Sequence, residues 1–259
     1  MTGVNLKKIS GLPIFLKGNR IFFGASMSVP QTEIKSYRQY KSFFKPPGLD
    51  KNKELYYIYR NSRLEKDDSV FRKNGLRYDI TVILPGSVGR EPVRTIGHAH
   101  KLFKGGWPAE IYQVFFGSAV FLFHDIKTDH VYAVRRYQGE KIIIPPQCAH
   151  ITINASLSKP LLVANIFINT RNYNYDFFKK THGPSWYPII RKGNRIHFEK
   201  NLYVKRNVAF SWKKVSVLPF GISPKMSLYK EFAFHTNRFS FLSNPKKYSK
   251  ALSIDSLFK

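Results

Sequence analysis

Between residues 71 and 172 the chain is built from short runs rich in Val, Ile, Phe and Tyr, several of them alternating with polar residues. Runs of this composition and period predict β-strands. They are Thr81–Leu84, Ile111–Phe116, Ala119–Phe123, Val131–Val134, Lys141–Ile144, Ile151–Asn154 and Leu161–Asn169. Turn-forming stretches such as Asp125-Ile126-Lys127-Thr128-Asp129 separate several of them. The flanks are more mixed. Arg20-Ile21-Phe22-Phe23 predicts a short strand. Gln31 to Phe44 and Asp50 to Arg60 place apolar or aromatic residues at three- and four-residue steps, which predicts helices. Pro46-Pro47-Gly48 between them is a breaker. Downstream, Tyr175 to Lys180 predicts a helix start and Pro245 to Leu257 a short helical end. The pattern thus divides the chain into an N-terminal extension (1–70), a strand-rich centre (71–172) and a C-terminal extension (173–259), with no internal repeat.

The centre also carries the chemistry. In Gly97-His98-Ala99-His100 the two histidines are two residues apart, so on a strand both side chains leave the same face and Ala99 leaves the other. After the Gly-rich stretch Lys104-Gly105-Gly106-Trp107-Pro108, Glu110 heads one apolar run, and His150 heads another. Three imidazoles and one carboxylate suit a divalent first-row metal with positions left open for substrate. Glu91 has two readings: it pairs with Arg90 or Arg94, or it orients a ligand imidazole from behind.

The frame around these residues resembles the two-part signature of the cupin superfamily. In the first part Glu110 is followed by six residues and then Gly117; in the second, Gly139 leads to Pro145-Pro146-Gln147, His150 and Asn154. Gln147 stands where that signature usually has a glycine, so a non-glycine residue must make the turn. A narrower resemblance is to the cupin-type phosphoglucose isomerases. It rests on Gly89-Arg90-Glu91, Thr95-Ile96-Gly97-His98-Ala99-His100, Glu110-Ile111-Tyr112 and Pro145-Pro146 with His150 and Asn154. The strand Tyr78 to Gly86 adds to it, and looser echoes run through Tyr175-Asp176-Phe177-Phe178 and Gly183-Pro184-Ser185-Trp186-Tyr187.

The resemblance implies a mainly β fold: a cupin double-stranded, jelly-roll-like β-barrel with mixed α/β N- and C-terminal extensions. It implies a metal-dependent glucose-6-phosphate isomerase that binds one divalent ion (Fe2+, Mn2+, Ni2+ or Zn2+) through His98, His100, Glu110 and His150. Glu110 and Tyr112 are its implied catalytic residues. Thr81, Thr95, Gly97, Tyr112 and Tyr175 are its implied substrate contacts, with hydroxyls and backbone N–H groups donating to phosphate oxygens. Two other readings stand beside it. One is a cupin sugar-phosphate isomerase or epimerase of other specificity; the other is a non-catalytic basic cupin subunit that binds nucleic acid or a large assembly. All four ligand positions are intact, which weighs against the last.

Composition narrows the setting. The 259 residues are 43% apolar, with 22 Phe and 15 Tyr, enough to bury a real core. The tail aromatics Phe198, Tyr203, Trp212, Phe220, Phe232, Phe234 and Phe241 are too many to leave in water, which predicts an ordered C-terminal extension. A single cysteine, Cys148, cannot form an intramolecular disulfide, and no apolar stretch approaches the ~20 residues of a membrane helix. A cytoplasmic homodimer is expected, paired through exposed sheet edges. The N-terminus lacks acids before Glu33 and carries Lys7, Lys8, Lys17 and Arg20, a composition shared with organelle transit peptides as well as with ordinary basic arms. With 43 Lys and Arg against 16 acids the formal charge is +27. That charge fits attraction of an anionic sugar phosphate; nucleic-acid contact is a further reading that charge alone does not select.

Overall fold

The computed structural model describes residues 3–45, 52–170 and 173–259. Two sheets carry the site. The first has six antiparallel strands in the order Lys141–Ile144, Glu110–Phe116, Leu161–Ile168, Leu76–Ile83, Glu54–Arg60 and Gln31–Ser36. The second runs Cys148–Asn154, Ser118–Asp125 and His130–Tyr137, with Ala209–Trp212 added parallel at its edge. Their inner faces meet across an apolar interior, where the rings of Tyr112 and Phe121 lie 5.2 Å apart. The arrangement is the double-stranded β-barrel of the cupin fold.

Several strands run beyond their sequence-predicted bounds, while Lys141–Ile144 keeps its bounds and Leu161–Ile168 ends one residue early; most are buried on both faces. Leu161–Ile168 and Leu76–Ile83 are buried at every position, so alternation fades and runs such as Leu-Leu-Val-Ala-Asn-Ile-Phe-Ile replace it. The turn into Cys148–Asn154 puts Gln147 at φ 61°, so the non-glycine residue does adopt the left-handed conformation. Asn154 pins the far end of that strand: its Nδ2 donates to the carbonyls of Ile83, Leu84 and Lys159 at 3.2, 3.2 and 2.9 Å.

The N-terminal extension departs from expectation. The two stretches expected to be helical, Gln31 to Phe44 and Asp50 to Arg60, supply the strands Gln31–Ser36 and Glu54–Arg60, and helix is confined to the single turns Tyr37–Tyr40 and Lys41–Phe43. Glu54–Arg60 is an inner strand covered on both faces, and Tyr56-Tyr57-Ile58-Tyr59 is strand-favouring whatever its period. In Gln31–Ser36 the polar residues Glu33 and Lys35 are the ones turned inward, so no apolar alternation marks it. The breaker Pro46-Pro47-Gly48 and Asp50 lie outside the described residues. Arg20–Phe23 is a strand as expected, paired with Ile14–Lys17.

In the C-terminal extension, Asp176–Lys179 is the short helix expected there, and of the helical end expected from Pro245 to Leu257 only Ile254–Leu257 is helix. The hairpin Trp186–Arg191 with Arg195–Lys200 and the helix Leu228–Phe234 are additions. Ser227 caps that helix, its hydroxyl accepting from the Lys230 N–H at 3.3 Å. Phe232 and Phe241 are fully buried in the same core as the barrel. Of the seven tail aromatics, Tyr203, Trp212 and Phe234 remain 52%, 49% and 70% exposed.

Candidate metal centre and the cavity beside it

His98 and His150 face each other across an isolated antiparallel bridge, each N–H donating to the other's carbonyl at 3.2 and 2.9 Å. Their rings are therefore held 4.6 Å apart by backbone alone. His100 follows on the two-residue strand Ala99–His100, paired with Tyr173–Asn174, and its ring stacks on Phe167 at 4.4 Å. Ala99 is turned away and buried. Glu110 opens the Glu110–Phe116 strand and reaches the same point from the first sheet. Its Oε2 lies 3.3 Å from His100 Nε2 and 3.1 Å from His150 Nε2, while its Oε1 accepts from Asn165 Nδ2 at 2.5 Å. One ligand atom from each of the four residues lies within 4.8 Å of the others.

Electrostatics suit a cation at that point. Burial, reinforced by the neighbouring histidines, holds the His98 imidazole well below its ordinary pKa. Burial also lowers His100, although Glu110 opposes it. Burial would raise the Glu110 carboxyl, but hydrogen bonds and charge from His100 and His150 hold it well below the ordinary carboxylate range. His98 and His100 are thus held neutral beside an ionised carboxylate, the protonation state metal ligands need. Three buried ring nitrogens, His98 Nε2, His100 Nδ1 and His150 Nδ1, have no hydrogen-bond partner. An unpaired buried acceptor is costly, and for His98 Nε2, which faces the cluster, a bound ion would meet that need. The residues fit the metal. Glu91 does not orient any of these rings; it pairs with buried Arg94 at 2.8 Å and accepts the Lys45 N–H at 2.6 Å.

His98, Glu110 and His150 of the cluster line a cavity of about 70 Å³. Thr81, Thr95, Gly97, Tyr112 and Tyr175, the substrate contacts implied by sequence, all line it. Gly97 has φ 82°, and a Cβ there would lie 2.4 Å from Ile151 Cγ2 and 2.7 Å from Phe178, so no side chain fits. Tyr112 Oη is 3.3 Å from His150 Nε2; burial, then Glu110, keeps its phenol protonated well above the ordinary range.

Sequence reasoning missed Lys35, Tyr56, Arg60, Asn165 and Tyr173, which also line the cavity. Asn165 had a readable signal, being the one polar residue in the apolar run Leu161–Ile168. Lys35, Tyr56 and Arg60 were hidden by the helical reading of their strands. Outside Tyr173 and Tyr175 lies a second cavity of about 330 Å³, reached past Arg60 and Arg77. A larger one, about 600 Å³, lies elsewhere, lined by Gln113, Arg136, Lys141 and Val217, and contains none of the four convergent residues.

Residues 37–206 match the family model described as glucose-6-phosphate isomerase. No curated protein matches the chain at a significant level. Among solved structures, the chain is similar to an oxalate oxidase in complex with the substrate analogue glycolate, with 16% identity, a TM-score of 0.32 and coverage of 39% of this chain and 46% of that one. A deletion mutant of Bacillus subtilis oxalate decarboxylase gives 16% identity, a TM-score of 0.34 and coverage of 49% and 29%. Vicilin from hazelnut (Corylus avellana) gives 13%, 0.36, and 50% and 34%. The chain spans less than half the length of each of these. The family match covers most of the chain and includes every residue of the cluster, and on that ground the chain belongs to the glucose-6-phosphate isomerase family.

Proposed function

We propose that the cluster and its cavity are the seat of the interconversion of glucose 6-phosphate and fructose 6-phosphate, with one divalent ion held by His98, His100, Glu110 and His150. The observation that carries the reading is the convergence of four ligand-type side chains, three of which (His98, Glu110 and His150) line a cavity that also contains Thr81, Thr95, Gly97 and Tyr175, in a chain of this family. When bound, the ion supplies Lewis acidity toward the two oxygens of the open-chain sugar.

The chain's own residues do the rest. In the aldose-to-ketose direction the hydrogen on C2 moves to C1, the C2 hydroxyl loses a proton and the aldehyde oxygen gains one. Glu110, the carboxylate at the cluster and ionised, is the residue assigned to carry the proton from C2 to C1 through an enediolate. Asn165 fixes the carboxylate by holding Oε1. Tyr112 stays protonated, which makes it a donor toward a sugar oxygen rather than a base. Thr81, Thr95 and the Gly97 backbone take the phosphate end. We place the reaction in the cytoplasm and in a homodimer paired through the sheet edge at Gln31–Ser36. Among the described residues no helix is long and apolar enough to cross a membrane.

The test is turnover of fructose 6-phosphate by metal-loaded protein, with loss on chelation and recovery with Fe2+, Mn2+, Ni2+ or Zn2+. Solvent deuterium entering C2 of glucose 6-phosphate supports proton transfer; its exclusion would replace Glu110's role with a direct hydride shift. Absence of turnover with every metal sinks the isomerase reading.

A further inference from the structure

The cavity has a charged rim that neither barrel motif supplies. Lys35 and Glu33 point inward from the edge strand Gln31–Ser36, and Arg60 and Asp79 from the next two strands of the sheet. The two cations are held differently. Arg60 is committed to two carboxylates, with Nε 3.0 Å from Glu33 Oε1 and a guanidinium nitrogen 2.7 Å from Asp79 Oδ2. Lys35 has only a share of Glu33, 3.2 Å from Nζ to Oε2, and donates to the Tyr40 hydroxyl at 3.1 Å. An ammonium has three donors, so one N–H of Lys35 remains for a further acceptor. The side chain is 18% exposed and lines the cavity together with Thr81, Thr95, Gly97 and Tyr175. Its charge, with that of Arg60, acts on the Tyr175 phenol.

A hexose phosphate brings a dianion to this end. Hydroxyls and backbone N–H groups donate to it without compensating its charge, and its desolvation in a closed cavity favours a cation within reach. We propose that Lys35 pairs with the phosphate of the bound sugar phosphate and sets the preference of the site for phosphorylated over free hexose. The proposal rests on the isomerase reading for its substrate but concerns a residue outside both barrel motifs. On binding, the Lys35 ammonium keeps Glu33 as neighbour and gives its free N–H to a phosphate oxygen; Arg60 stays with Asp79 and preserves the wall.

Lys35→Met removes the charge at similar length, and Lys35→Arg keeps it. Lys35 sits on an edge strand, so both variants are expected to fold, which circular dichroism checks. For Lys35→Met, KM for fructose 6-phosphate should rise roughly 10- to 100-fold, as expected for loss of a charge-assisted hydrogen bond. The kcat should stay within about twofold, and the inhibition constant of inorganic phosphate should rise with KM. Lys35→Arg should restore KM to within a few fold. Activity on free fructose should be the same in wild type and Lys35→Met, whereas a residue that only braced Glu33 and Arg60 would lower both substrates together. An unchanged KM and phosphate inhibition in a folded Lys35→Met overturns the proposal. Calorimetric titration of inorganic phosphate separates the two readings. If the wild type turns over no sugar yet binds phosphate and Lys35→Met does not, the isomerase reading fails and the anion site stands. Equal phosphate binding by both proteins overturns the anion site itself.

Discussion

The two ends of the cavity are built on opposite electrostatic plans. At one end, three imidazoles surround a single carboxylate, and burial keeps protons off the rings of His98 and His100. At the other, Arg60, Arg77 and Lys35 are laced to Glu33 and Asp79, and every charge has a partner of opposite sign. The first end presents unsatisfied donor atoms and gains from a cation; the second is already compensated, with one N–H of Lys35 to spare. A sugar phosphate is polar at both ends, its carbonyl and hydroxyl oxygens at one and its dianion at the other. On the proposed reading the contrast would orient it, with the reacting carbons toward Glu110 and the phosphate toward Thr81 and Lys35.

The sharpest way to break this division is Glu110→Gln. The change is isosteric and keeps Asn165 within reach, so folding should survive, but the charged ligand and the base are lost together. Activity should fall at least about 100-fold with the melting temperature little changed. If kcat falls less than tenfold, the reacting end has been misplaced. At the opposite end, Arg60→Met should act on stability first. It leaves Asp79, 1% exposed, without its shorter ion pair. Breaking a buried pair costs roughly 3–5 kcal/mol. Here Arg77, 3.0 Å from Asp79, softens the loss to about 2 kcal/mol, readable by urea denaturation. No loss of stability would mean that the ion network does not hold this end in shape. Tyr112→Phe removes one donor and should lower kcat roughly tenfold while KM moves little; a change in KM alone would make Tyr112 a binding group.

The same division marks what could be read from sequence. The metal end was legible because its residues are local: His98 and His100 share one strand face by spacing, and Glu110 and His150 head strands with clear apolar runs. Lys141–Ile144 was placed to the residue. The charged end was not legible, because its meaning lies in pairing between distant segments. Lys35 becomes a cavity residue only once Gln31–Ser36 joins Glu54–Arg60, which in turn joins Leu76–Ile83. The inward positions Glu33, Lys35 and Arg60 are polar, so the period that marks a strand was absent where function needed charge. In the tail, composition showed that many aromatics were present but not that Trp212 and Phe234 would stay at the surface.

The finest test of the comparison is pH, because the histidines of one end and Glu33 of the other should lose stability in different windows in the metal-free protein. His98 and His100 have folded pKa values below the ordinary 6.5, so below about that value the unfolded chain binds more protons than the folded one. Stability should therefore fall as pH drops through 6.5, and a metal, which needs neutral rings, should bind more weakly over the same range. Glu33 behaves otherwise. Burial would raise it, but Arg60 and Lys35 outweigh burial and lower it from 4.5 to about 2. Its contribution is complete above pH 4.5 and is lost only as pH falls toward 2. Urea midpoints measured from pH 8 to pH 3 should thus decline in two steps. Replacing both histidines, as in the double variant His98→Gln with His100→Gln, should remove the upper step. Glu33→Gln should leave the upper step and shrink the lower one, to which Glu110, also held low, contributes. A single merged decline that neither variant alters would mean that the two ends titrate as one network, and the separation of metal end from phosphate end would have to be given up.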